Sequence, residues 1–250
     1  MANPVINSDI LKRAGEAQSV TSRMTVQGTM TKSLLLLLMV VLAGAFTWKV
    51  TNEAIDPSSV TSWMIGGMIV GLITALIITF KPKSAPLLSP VYAAAEGLVL
   101  GAISALYNNS FAETAPNIVI NAVLLTILCA FIMFILYDKQ IVKVNGTFMR
   151  VLTIALTTVF VYYIGTMLLS LFGVNISLLE GTSLLSIGIS CIITAVAAFS
   201  LISDFHSMRL FSENNAPKYF EWYFAFGFMV TLIWLYLEIL RLLAKVNSRD

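Results

Sequence analysis

The chain has 250 residues, 58% hydrophobic and 11% charged, with a formal net charge of +2. Soluble domains average about 45–50% apolar and about 25% charged residues, so 15 basic and 13 acidic side chains are too few to cover a soluble globule of this length. That excludes an ordinary soluble enzyme, a disordered tail and a nucleic-acid binder, which would need a basic surface. What remains is a polytopic membrane protein.

Residues 1–32 are polar and carry charges of both signs, and are expected to form a cytoplasmic arm. No cleavable signal peptide is evident, because the apolar region starts late and lacks a small-residue cleavage site. Seven stretches then reach the ~20 mostly apolar residues that a spanning helix needs: Ser33–Trp48, Val60–Phe80, Leu87–Tyr107, Asn117–Tyr137, Phe148–Phe172, Ser183–Ser203 and Trp222–Leu243. The first is short and extends back past Lys32, whose long side chain can snorkel. Turn chemistry separates the stretches at Asp56-Pro57, Lys81-Pro82-Lys83, Asn108-Asn109, Asn145-Gly146 and Ala216-Pro217. A short tail, residues 244–250, follows. Runs such as Leu34–Val41 and Leu72–Ile78 do not alternate, which argues against a β-barrel. The fold class is an all-α membrane protein, a seven-transmembrane helix bundle in one domain spanning residues 33–243. With the N-terminus inside, eleven lysines and arginines fall on the inner side and four (Lys49, Arg241, Lys245 and Arg249) on the outer side, as the positive-inside rule favours. Cys129 and Cys191 lie in apolar spans and read as small buried hydrophobes. Trp63, Tyr107, Tyr137 and Trp222 lie near span ends as an aromatic belt, which Trp234 does not fit.

Several chemistries are missing. A helical zinc protease needs two histidines with a glutamate, and the chain has one histidine, His206. There is no phosphate-cradling glycine loop, and Lys245 falls beyond the last predicted span. These absences argue against an enzyme, and no cofactor or firm metal site is expected. Three acids stand out, since a carboxylate in a span costs at least ~2.5–3.5 kcal/mol. Glu96 is roughly 13 Å into the third span, among small residues, with Gly97 and Gly101 forming a G-x-x-x-G face for close packing. Asp204 ends the sixth span, at the inner rim. Glu238 lies roughly 24 Å along the last span, close to the outer rim, and Arg241 three residues on suggests a helical ion pair. His206 is interfacial, with a native pKa range suited to pH sensing. Gly67 and Gly71 form a second packing motif.

The segments Ala95-Glu96-Gly97-Leu98-Val99-Leu100-Gly101, Phe199-Ser200-Leu201-Ile202-Ser203-Asp204 and Glu221-Trp222-Tyr223-Phe224-Ala225-Phe226 through Leu240-Arg241-Leu242-Leu243 resemble the Bax inhibitor motif family. Met24-Thr25-Val26-Gln27-Gly28-Thr29 is similar to a bacterial branch of it. The resemblance covers the chain from about residue 24 onward. It implies seven helices with the last one central, and a pH-sensitive calcium leak in which two aspartates, on the sixth and seventh spans, share a proton and latch the pore. Two carboxylates in one low-dielectric site cannot both ionise cheaply, so ionisation would part the helices and open an oxygen-lined path for a hard cation. Asp204 matches the first aspartate. Matching the Leu-Arg ending places the second on Thr231; matching Leu235-Tyr236-Leu237-Glu238 to a Leu-Tyr-Leu-Asp run places it on Glu238. Depth favours the first alignment, and Asp204 is then expected to work with Glu96, with Thr231 between them. His206 and Arg241 are accessory, and calcium would meet Asp204 and Glu96 as transported ion. Besides the lipid bilayer, membrane-protein partners are the other expectation: a regulator of a membrane protease or a death-pathway protein, acting through the arm Met1–Thr31. A proton-coupled transporter would predict an internal repeat, and none is visible. The implied location is a bacterial inner membrane with the N-terminus cytoplasmic.

Overall fold

The computed structural model describes residues 23–53, 57–173, 181 and 183–248. Most of the N-terminal arm, the turn residue Asp56, and Lys12, Arg13 and Arg249 of the charge count lie outside the described residues. The described residues hold seven helices long and apolar enough to cross a bilayer: α1 (Val26–Glu53), α2 (Pro57–Phe80), α3 (Ala85–Ser110), α4 (Ile118–Asp138), α5 (Gly146–Leu171), α6 (Leu184–Glu213) and α7 (Phe220–Asn247). A 3-10 turn, Pro82–Ser84, leads into α3. The chain is an integral, all-helical membrane protein.

Every predicted span is present, and most helices outrun their apolar stretch. Serine and threonine hydroxyls inside the helices donate back to carbonyls three or four residues earlier, as Ser33 does to Thr29 (3.0 Å), Thr74 to Val70 (2.7 Å) and Thr126 to Ala122 (2.7 Å). Such bonds satisfy the hydroxyl where no water can. α5 starts at a conventional cap, with the Asn145 side-chain oxygen accepting from Phe148 N–H at 2.7 Å. α1 begins at Val26, seven residues before Ser33, in line with the expected extension past Lys32. Two predicted boundaries need correction. α6 continues to Glu213, so Asp204 and His206 stand inside a helix and not at its end. α7 continues to Asn247, so Lys245 belongs to the helix rather than to a tail. Polar residues continue a helix readily once neighbouring side chains satisfy them, a contact that hydropathy does not register.

The helices group into two compact units, one drawn from residues 9–112 and 207–230, the other from residues 113–206 and 231–250. In the first, α3 packs between glycines. A Cβ on Gly97 would stand 2.5 Å from the Val40 carbonyl oxygen and 2.8 Å from Ala43 Cβ, and one on Gly101 would collide with the Gly44 carbonyl oxygen and the Thr47 hydroxyl. On the α2 side, a Cβ on Gly67 would sit 2.7 Å from the Ala95 carbonyl oxygen and 2.9 Å from Val99 Cγ2. Gly97, Gly101 and Gly67 therefore lie where a neighbouring helix backbone comes close, the geometry by which helices associate when lipid removes the hydrophobic incentive. Lower in the same unit, Phe211, Phe220, Tyr223 and Phe224 form an aromatic cluster, with Phe211 and Phe224 4.7 Å apart between centroids.

In the second unit, Phe205 of α6 lies against Phe134 and Tyr137 of α4, and Phe199 against Phe148 of α5. Large apolar side chains such as Leu124, Ile127, Phe160, Leu171 and Ile192 are exposed, the outward apolar face a bilayer covers. Cys191 is on that exposed face and Cys129 is half-buried, both as free thiols. The expectation of two core cysteines is corrected: each sits on a helix with apolar residues all round, so the local sequence does not say which side faces lipid.

Gly101→Ala is expected to destabilise the protein by about 1–3 kcal/mol through overpacking, read as a lower unfolding midpoint in detergent. Gly165→Ala, with no atom within 4 Å of the added Cβ, should leave the midpoint unchanged or slightly raised. Equal midpoints for the two variants would mean the α1–α3 contact is not the close one described.

Candidate functional site

Polar and charged side chains inside a bundle mark function or the bonds that hold it, and the buried ones separate by unit. In the first unit, Glu96 stands on α3 next to the Gly97 face but turned toward α2. A Cβ on Gly71 would be 3.2 Å from Glu96 Oε2 and 3.9 Å from Tyr92 Cε2, so the second packing glycine leaves the space this carboxyl occupies. Glu96 is half-buried, and among the described residues no hydrogen bond or ion pair to it is found. The carboxyl lies at a helix interface, as its small neighbours predicted.

Glu221, which the sequence reading passed over, is the fully buried acid of this unit. It forms an ion pair with Lys32 and another with Lys218 at 2.9 Å, and accepts from the Thr25 N–H at 2.9 Å and the Thr25 hydroxyl at 3.0 Å. Lys32, expected to snorkel, bonds Glu221 and lies 5.5 Å over the Trp222 ring. The Lys218–Glu221 spacing was a readable signal for this pair. The Lys32 partner, 189 residues away in the chain, was not.

In the second unit, Asp204 is 4% exposed. The carboxylate expected at the end of a span stands nine residues before the end of α6 and is buried within the protein. His206 is half-buried and meets Tyr137 edge-on, centroids 6.2 Å apart. Glu238 is 1% exposed. Its Oε1 accepts from Tyr163 Oη at 2.8 Å, Trp234 Nε1 at 3.1 Å and Arg241 Nη1 at 2.8 Å, and Oε2 accepts from Arg241 Nη1 at 3.0 Å. Arg241 also donates to Tyr163 Oη at 2.6 Å. The i,i+3 pair predicted from spacing is present, inside a larger network that includes Trp234, the tryptophan that fitted no belt. Glu238 stands nine residues before the end of α7, roughly 13 Å by the helical rise. Lys245 is buried too, its ammonium donating to Ser186 Oγ at 3.0 Å and Ser190 Oγ at 2.6 Å of α6.

Thr231, Trp234, Glu238, Arg241 and Lys245 recur at intervals of three and four, so they share one stripe along α7. Thr231 is buried at the start of that stripe. Glu96 falls in one unit and Asp204, Thr231, Glu238, His206 and Arg241 in the other. Among the described residues no group of three or more histidines, cysteines, aspartates or glutamates could hold a metal ion.

The sequence model of the family described as Bax inhibitor 1 like matches residues 3–248, essentially the whole chain. The protein belongs to the Bax inhibitor 1-like family. No curated protein and no solved structure matches it. Within this Bax inhibitor 1-like chain the acids differ in kind: Glu221 and Glu238 are ringed by donors that hold helices together, while Asp204 is buried in mid-helix and Glu96 rests against a glycine.

Removing the Glu238 carboxylate strands the partly buried Arg241. Glu238→Ala is therefore expected to destabilise the protein by about 3–5 kcal/mol, whereas Tyr163→Phe, which deletes one hydroxyl of the network, should cost about 1 kcal/mol. Chemical unfolding in detergent reads both, and a Glu238→Ala loss no larger than that of Tyr163→Phe would show that the network does not bear on stability.

Proposed function

We propose that this Bax inhibitor 1-like protein is a pH-sensitive cation leak channel, with calcium as the transported ion, gated by protonation of carboxylates inside the bundle. The observation that carries the reading is the burial of Asp204 within α6, at 4% exposure. A carboxylate so placed in a spanning helix is retained against a cost of at least ~2.5–3.5 kcal/mol, and proton relay or ion passage is what such groups commonly serve. Protonated, the acid is a neutral member of a packed helix. As pH rises it ionises, the packing around it loosens, and its oxygens offer a hard cation the ligands it prefers.

Glu238 is set aside as the partner acid because its oxygens are already taken by Tyr163, Trp234 and Arg241. Glu96, with neither hydrogen bond nor ion pair among the described residues, is the second pH-responsive acid in this reading, and buried Thr231 takes the place on α7 that the family alignment gives to its second aspartate. The central position of α7 is part of the same proposal, supported by α7 burying the largest share of its apolar length among the seven helices. A bacterial inner membrane with a cytoplasmic N-terminus is likewise proposed, supported by the distribution of lysine and arginine and by the likeness of Met24–Thr29 to a bacterial branch of the family.

Calcium flux into liposomes between pH 6 and pH 8 tests the reading. Wild type is expected to leak more as pH rises, Asp204→Asn to lose the pH response, Glu96→Gln to weaken it, and Glu238→Gln to keep it while unfolding more readily. An equal pH response in all four would remove carboxylate gating. Loss confined to Glu238→Gln would transfer the role to the α7 network.

A further inference from the structure

Glu221 has no part in the proposed leak, yet it gathers more partners than any acid a packed helix needs for its own sake. Its Oε1 takes the Thr25 N–H, the Thr25 hydroxyl and the Lys218 ammonium, and its Oε2 takes Lys32. Thr25 and Lys32 flank the start of α1, Lys218 lies in the turn between α6 and α7, and Glu221 itself opens α7. The same stretch of chain is tied down on either side of this point. Arg23 pairs with Pro217 in an antiparallel bridge and donates to Asn215 Oδ1 at 2.7 Å. The Met24 N–H donates to the Ala216 carbonyl at 2.8 Å, and the Ser212 hydroxyl to the Met24 carbonyl at 3.4 Å. Asn215 holds a left-handed backbone, φ 56°, which shapes the turn that receives the strand-like segment. Gly28 completes the fit, since a Cβ there would run into the Glu221 carboxylate.

We propose that residues Arg23–Lys32 are a strap locked onto the α6–α7 turn by Glu221, and that the strap and the first turn of α7 are released together, raising the resting leak. The lock is electrostatic. Met24 and Ala216 are the apolar pair buried along the strap itself, whereas removing one carboxylate removes all four of its contacts at once. Because every one of those contacts ends on the first turn of α7, the strap cannot lift without unpinning the helix that carries Thr231 and Glu238. The effect on the leak rests on the function proposed above; the shared release does not.

Hydrogen–deuterium exchange of the full chain in lipid nanodiscs tests the lock directly, read on peptides covering residues 23–30 and 217–224. In Glu221→Gln, exchange of both is expected to speed at least tenfold, while peptides from α4 and α5 stay as in wild type. Gly28→Ala, which pushes on the carboxylate without removing it, should act in the same direction and more weakly, and stands in should Glu221→Gln fail to fold. The charge-exchanged pair Lys32→Glu with Glu221→Lys should restore slower exchange relative to either single change. Unchanged exchange, or faster exchange in one segment alone, overturns the shared release. Calcium leak in vesicles at pH 7 is expected to rise several-fold in Glu221→Gln, and faster exchange with an unaltered leak overturns the regulatory role. A wild-type protein with no pH-dependent leak would instead sink the proposed function and leave the strap standing on its exchange behaviour alone.

Discussion

A charge inside a helix bundle in hydrocarbon must be matched by hydrogen-bond partners from the protein, because no water is there to supply them. Much of this protein can be read from how that requirement is met. Glu238 is met by a tyrosine, a tryptophan and an arginine, Lys245 by two serine hydroxyls, and Glu221 by two lysines and the backbone and hydroxyl of Thr25. In each case at least one partner comes from another helix or from a turn, so satisfying the charge also fixes which elements meet. Apolar side chains, as comfortable in lipid as in the core, cannot enforce such pairings by themselves.

Small residues do the complementary work. Where Gly97 and Gly101 approach Gly44, backbones come close enough for dispersion to hold helices that have no hydrophobic reason to associate. Two of the glycines serve carboxylates instead. Gly71 leaves space for Glu96, and Gly28 for Glu221. At these five positions a glycine is thus either half of a helix contact or the vacancy into which an acid fits, and only the neighbour across the interface says which.

The legible part of the candidate site followed from local spacing. Glu238 and Arg241 are three apart on one helix, and their pairing could be read directly. Glu96 beside Gly97 could be placed at an interface because its neighbours are small. Tyr163 and Trp234 could not be assigned to Glu238 in the same way: Trp234 looked like a misplaced belt residue, and Tyr163 sits on another helix, 75 residues away. Lys245 was read as tail because a lysine ends an apolar run, yet Ser186 and Ser190 let the helix carry it further. Asp204 was placed at a helix end for the same reason, since a hydropathy window stops at the first polar cluster whether or not the helix does.

By itself the sequence determined the solvent, the number of spanning helices, the helix type of every span and the family, because each depends on composition and short-range periodicity that a bilayer makes nearly obligatory. The tertiary structure alone decided which charges are structural. Whether an acid holds helices together depends on donors that arrive from distant parts of the chain. Lys32 at Glu221 and Tyr163 at Glu238 are brought there by packing, not by proximity in sequence.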